Sequence, residues 1–226
     1  FEVNFGAVFR VGLDDEDAQV RARSIGGLWE DEDVRLVQPL TDRLADDEST
    51  MVRAAAATSL GRFVLLGELG KIRSRPHKQA YNALLAVCQE EENADIWRRA
   101  LESLAYAENE IVIELIRQAY ASPEEKVRVS AVFAMGRSAD TRWALQVKQE
   151  LFSPNPELRY EAARACGELQ LSDTVGELDE LTEDVDIEVQ QAALWALGQI
   201  GGDEARKILE RHCQDESESM KTAAEA

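Results

Sequence analysis

Along the chain, apolar residues return at intervals of four, beside a basic residue and ahead of a glycine. Val52, Ala56 and Leu60 show the pattern, with Arg53 after the first and Gly61 after the last. Residues four apart share one face of a helix, so the run predicts a helix with a single buried stripe. The pattern returns as Val127-Arg128, Ala131, Met135-Gly136, then Leu158-Arg159, Ala162, Cys166-Gly167, then Val189-Gln190, Ala193, Leu197-Gly198. Weaker copies are Val20-Arg21, Ser24, Leu28 and Ile96-Trp97, Ala100, Leu104. One position past the middle of each copy, Ile25, Ala57, Leu101, Val132, Ala163 and Leu194 widen the stripe. The small middle residue predicts close approach of a neighbouring helix. The glycine nine positions from the start predicts a helix end nearby.

The leading apolar residue stands at 20, 52, 96, 127, 158 and 189, in steps of 32, 44, 31, 31 and 31. A further step of 31 lands on Met220-Lys221 with Ala224, the start of another copy cut by the chain end. A second amphipathic helix is predicted ahead of each copy: Phe5–Leu13, Val34–Leu44, Gln79–Cys88, Ile111–Ala121, Trp143–Phe152, Val175–Leu181 and Ala205–Cys213. The turns between are rich in acids and proline, as in Asp14-Asp15-Glu16-Asp17, Asp46-Asp47-Glu48 and Ser153-Pro154-Asn155-Pro156. Both suit a helix N-terminus, where free N–H groups and the dipole favour negative charge. Two helices cannot bury an apolar stripe alone, but stacked pairs can. The expectation is an all-α protein, an α-solenoid (right-handed superhelix) of about six to seven two-helix repeats. It would form a single domain over residues 1–226, with the last repeat truncated and an insertion near 66–78. No period-two alternation competes with this reading.

The Val-Arg-x-x-Ala-x-x-x-Leu-Gly signature at a step of about 31 resembles the short HEAT-like repeats named after phycobilisome (bilin) lyases, from about residue 5 to 226. The resemblance implies a solenoid whose second helices line the concave side. It also implies that the repeated arginine bonds acidic turn residues of the adjacent repeat. Arg21, Arg53, Arg128 and Arg159 match it, whereas Trp97, Gln190 and Lys221 replace it. Such repeats occur in lyases and in many adaptors, so the motif leaves function open.

Charge narrows the partners. The chain carries 44 acidic against 25 basic residues, a net charge of −19. Nucleic-acid binding rests on neutralising phosphates, and anionic membranes attract basic segments. Neither partner is expected; a protein partner is. Cys88, Cys166 and Cys213 are odd in number and far apart, with no CxxC pair. That excludes a disulfide framework and a zinc motif, and it points to a reducing, cytoplasmic setting. No apolar run reaches membrane-spanning length, and no signal peptide is visible.

Two departures from the repeat are candidate sites. The step of 44 holds about 13 extra residues near 66–78, where Lys71, Arg73, Arg75 and Lys78 cluster around His77 with only Glu68 opposing. This is either a tolerated solvent loop or a basic finger for an acidic ligand or for the molecule's own acidic surface. The other departure lies two and six positions into the repeat helix, off the core stripe. Arg98 and Glu102, Val129 and Phe133, Tyr160 and Arg164, Gln191 and Trp195 would form an exposed strip there. Aromatic residues and arginine dominate interface energetics. The competing reading tucks Phe133 and Trp195 between repeats. Trp29 and Trp143 are expected in the core.

Catalytic signals are absent from the sequence. His77 and His212 are the two histidines, and no HExxH, Gly-rich phosphate loop or GxSxG is present. No metal and no cofactor is expected. Acidic runs such as Glu30-Asp31-Glu32-Asp33 read as solvated turns. Three functions stand: a non-catalytic protein-binding scaffold, a bilin-lyase-like chromophore binder using Phe133, Tyr160, Arg164 and Trp195, and a spacer within a longer chain.

Overall fold

The computed structural model describes residues 5–225, with side chains described over 6–214. Helices succeed one another as α1 (Phe5–Gly12), α2 (Ala18–Gly27), α3 (Val37–Asp46), α4 (Thr50–Glu68), α5 (Ser74–Glu90), α6 (Ala94–Leu104) and α7 (Glu110–Tyr120). They continue as α8 (Glu125–Arg137), α9 (Ala144–Glu150), α10 (Pro156–Glu168), α11 (Val175–Leu181), α12 (Ile187–Ile200) and α13 (Gly202–Glu225). Among the described residues there is no strand. The chain divides into two compact units, one up to Ala134 and one from Met135, with the boundary inside α8.

The even-numbered helices are the repeat helices of the sequence pattern. Side-chain caps set the starts of α2, α6, α10 and α12. Asp17 accepts from the amides of Gln19 and Val20, and Asn93 from those of Asp95 and Ile96. Asn155 accepts from Glu157 N with Pro156 in the first turn, and Asp186 from Glu188 N. Each cap satisfies N–H groups that have no partner within the helix.

In the first unit, α4 stacks between α2 and α6, with α3 and α5 packed behind. Val52, Ala56 and Leu60 on α4, and Ile96, Ala100 and Leu104 on α6, are fully buried. In the second unit, α10 stacks on α12, while α9 and α11 cover them. Leu158, Ala162 and Cys166 meet Val189, Ala193 and Leu197 as the same stripe. Each buried leucine or isoleucine contributes roughly 2 kcal/mol of transfer free energy. Burial also holds the Cys88 and Cys166 thiols protonated, pushing both up to about 12. Cys213 is exposed.

Three arginines, Arg21, Arg53 and Arg159, each tie their repeat to the next, as the resemblance implies. Arg21 donates through Nε and Nη2 to Asp47 at 2.9 and 2.8 Å, and through Nη1 to the carbonyls of Asp15 and Glu16. Arg159 does the same one unit later, to Asp184 at 2.7 and 2.8 Å and to the carbonyls of Ser153 and Pro154. Arg53 pairs with Glu91 and donates to Leu44 O. Each acid also accepts the amide two residues on: Ser49 N to Asp47, Asn93 N to Glu91, Asp186 N to Asp184. One carboxylate thus shapes its own turn and receives the preceding repeat. The substitutes keep part of this. Trp97 Nε1 donates to Cys88 O, and Gln190 Nε2 to Asp184 O. Arg128 reaches the carbonyls of its own turn, Ser122 and Pro123.

The repeated glycine has a reason beyond helix ending. A Cβ on Gly61 would stand 3.1 Å from Ser103 Cα, on Gly136 2.9 Å from Ala165 Cα, and on Gly167 2.8 Å from Ala196 Cα. In each case the next repeat helix passes at backbone distance, which a side chain forbids.

Several expectations need correction. Trp143 is buried, but Trp29 is 62% exposed. It occupies the repeated-glycine position of the first repeat, where an indole cannot fit; α2 ends at Gly27 and the ring lies outside the core. The insertion is not a loop. Buried Phe63, Val64 and Leu66 prolong the stripe, so α4 runs on to Glu68. Gly70, at φ +67°, closes it, with Lys71 N bonded to Leu66 O and Gly70 N to Gly67 O, a Schellman arrangement. By Ser74 the next helix has begun. Near the end, α13 runs from Gly202 to Glu225 without a turn, so no new helix opens at Met220. The side chains of that copy lie outside the described residues.

Candidate functional site

Four of the eight strip residues lie in the second unit, and three of them form one cluster. Trp195 is carried by α12, which stacks against α10. Its ring fits against Gly167, whose missing side chain leaves the room: a Cβ there would come within 2.8 Å of Trp195 Cζ3. The Arg164 guanidinium carbon stands 5.0 Å from the ring centroid, a cation–π contact worth about 1 kcal/mol at a partly exposed site. Arg164 lies one turn after Tyr160 on the same helix. It also bonds Glu168 Oε1 at 3.3 Å, one turn further. Arg137 Nε approaches the same carboxylate oxygen at 3.6 Å. Partial burial disfavours the charge on Arg164, but Tyr160 and the carboxylates of Glu168 and Glu161 outweigh it and raise its pKa. Arg164 is therefore a fixed cation. Trp195 stays 39% exposed and Gln191, one turn before it, is exposed.

In the first unit the strip is largely closed. Glu102 and Val129 are buried, contrary to the expected exposure. The reason is the step from α6 to α8. Buried Ser130 donates to Glu102 Oε1 at 2.6 Å and accepts from Arg98 Nε at 2.8 Å, and Arg99 bonds the other Glu102 oxygen at 2.6 Å. The two helices meet on these positions. Arg98 and Phe133 are half-buried. Sequence reasoning missed Glu168 and Arg137. Both stand ten positions into consecutive repeats, and Glu168 is four residues from Arg164, a spacing that pairs side chains on a helix.

A cavity of about 900 Å³ opens between the end of α12 and α13, lined by Leu197, Gly198, Gly201, Leu209, Arg206 and Cys213 among others. Trp195 and Arg164 do not line it. Among the described residues, no three His, Cys, Asp or Glu side chains gather to hold a metal ion, and no helix is long and apolar enough to cross a membrane.

Stacked two-helix repeats, register-locked by an arginine ladder, define an α-solenoid. A family model for HEAT repeats matches residues 7–105 and 144–226, and the chain belongs to the HEAT-repeat family. Two solved structures share the fold. YibA of E. coli is 24% identical at a TM-score of 0.56, with 87% of this chain and 70% of that one covered. The complex of CpcE and CpcF of phycocyanin lyase from Nostoc sp. PCC7120 is 17% identical at a TM-score of 0.60, with 87% and 77% covered. No curated protein matches in sequence.

Proposed function

We propose that this chain is a non-catalytic interaction scaffold that binds a protein partner on the α10–α12 face, through Tyr160, Arg164, Gln191 and Trp195. The observation that carries the reading is Trp195: a large aromatic left 39% exposed, yet held in place by Gly167 and Arg164. Tryptophan, tyrosine and arginine supply most interface energy, and side chains fixed beforehand lose little entropy on binding. Stacked repeats present extended surfaces suited to such use. Within the first unit, taken by itself, Arg98 and Phe133 remain candidate contacts, whereas Glu102 and Val129 are too buried to contribute. The net charge of −19 supports a protein rather than nucleic acid or an anionic membrane, and three free cysteines support a cytoplasmic setting.

Affinity capture from a lysate of the source cell tests this. The wild type is compared with an Arg164→Ala, Trp195→Ala variant shown by circular dichroism to keep its helix content. A protein retained by the wild type and lost by the variant is the expected result. Equal retention by both, or no retained protein, overturns it.

The cavity beside α13 favours a second reading, a bilin-lyase-like chromophore binder. Its volume lies within the roughly 300–1,000 Å³ of small-molecule sites, and Arg206 offers a cation to a propionate. An unchanged absorbance spectrum after mixing with a linear tetrapyrrole removes that reading.

A further inference from the structure

Carboxylates answer most cations of the first unit. Arg10 meets Asp31 and Asp33, Arg43 meets Asp14, and Arg62 meets Glu32. The exceptions gather at the tip between α4 and α5. Lys71, Arg73, Arg75 and Lys78 are all exposed. Among the described residues, no carboxylate pairs with any of them. The acid nearest in sequence, Glu68, is turned to His77, whose Nε2 lies 3.2 Å from Glu68 Oε1 without completing a hydrogen bond. Among the described residues, Arg23 and Lys126 of the first unit also lack an ion pair, but neither has another unpaired cation near it in sequence.

The fold holds these four cations on a rigid support. Gly70 closes α4 at its positive φ, and the connection to α5 is only residues 69–73. Gly67 and His77 lock the two helices together at this end: a Cβ on Gly67 would fall 2.1 Å from the imidazole ring. Arg75 and Lys78, three residues apart on α5, lie on neighbouring positions of one helical face. The first amides of α5 receive no side-chain cap, so the positive end of its dipole adds to the same potential. In a chain with 44 acidic residues, none of the described carboxylates reaches these four clustered cations.

We propose that the α4–α5 tip is a docking surface for a carboxylate-rich segment of a partner protein. Guanidinium groups match carboxylates in paired, parallel hydrogen bonds. The size of the patch favours a short acidic peptide over nucleic acid. A strand of RNA or DNA continues past the tip and meets a chain of net charge −19, with repulsion unscreened within a Debye length of about 8 Å at physiological salt. The surface stands on its own residues, all of the first unit.

The test is fluorescence anisotropy with a labelled peptide of eight glutamates, beside the same peptide in glutamine and a labelled single-stranded RNA, at about 50 mM salt so that surface charge is felt. The expected result is binding of the glutamate peptide alone. A Lys71→Glu, Arg73→Glu, Arg75→Glu, Lys78→Glu variant then loses about thirtyfold in affinity, as four exposed pairs each worth a few-fold multiply. A variant with glutamine at all four positions controls for reversed charge and shows most of the same loss. Equal affinity of wild type and variants overturns the proposal, as does no binding of the glutamate peptide. RNA binding as tight as the peptide's overturns the partner class. Self-association of the wild type that disappears in the variants assigns the tip to a second copy of the chain instead.

Discussion

Replacing Asp184 with alanine is expected to lower the free energy of unfolding by about 2–3 kcal/mol, read as a reduced urea midpoint at neutral pH. Two losses combine. Arg159, with its side chain 13% exposed, is left without its carboxylate, and the turn into α12 loses the acceptor for Asp186 N. The effect also has a pH signature. The hydrogen bond from Arg159 holds the Asp184 carboxyl below its ordinary range, against the opposing pull of burial. A depressed folded-state pKa means stabilisation that is complete above the unfolded value, about 3.9, and lost as pH falls through the folded one. The wild type should therefore lose stability as pH drops below about 4, and the variant should show a shallower acid limb. Asp47, also depressed, remains in the variant and keeps part of that limb. An Asp184→Ala midpoint equal to that of the wild type would remove the ladder from the stability account.

The second large effect runs against helix propensity. Alanine is favoured over glycine within a helix by about 1 kcal/mol. Gly167→Ala should nonetheless destabilise by about 2 kcal/mol, because over-packing exceeds that gain. The new Cβ would lie 2.8 Å from both Ala196 Cα and Trp195 Cζ3, and backbone cannot step aside as a flexible side-chain tip can. Trp195 should move with it, changing the tryptophan emission of the folded protein. Gly198 provides the control. It holds the same register position one repeat later, and a Cβ there meets nothing within 4 Å. Gly198→Ala should stabilise by about 0.5–1 kcal/mol. Two substitutions of one kind, at one repeat position, are thus expected to differ in sign. If both stabilise, the close approach of α10 and α12 is wrong.

The repeat period explains why so much of the fold was legible. A step of 31 carries core residues, capping turn and arginine in fixed register, so one well-read copy predicts the others. What misled was departure from period. The insertion near 66–78 was offered as a solvent loop or a basic finger, yet Gly67 is helical and makes room for His77, and only Gly70 there takes a positive φ. Trp29 was expected in the core, although the same position in three other copies holds a glycine, Gly61, Gly136 or Gly167, with the next repeat's backbone at about 3 Å from where a Cβ would stand. At the candidate site, Tyr160, Arg164 and Trp195 were read from a single helix face, and they do come together. Glu102 and Val129 failed the same rule, because exposure depends on where the next helix rests. The pairing of Ser130 with Glu102 is a contact between helices that periodicity on one helix does not encode.

The measurement that bears most directly on the scaffold reading is oxidative surface footprinting of the tryptophans, with and without the captured partner. Trp195 and Trp29 are both exposed, at 39% and 62%, while Trp143 is buried. Binding on the α10–α12 face predicts that Trp195 loses reactivity in the complex. A complex in which Trp195 reacts as it does in the free protein would contradict that face as the binding site.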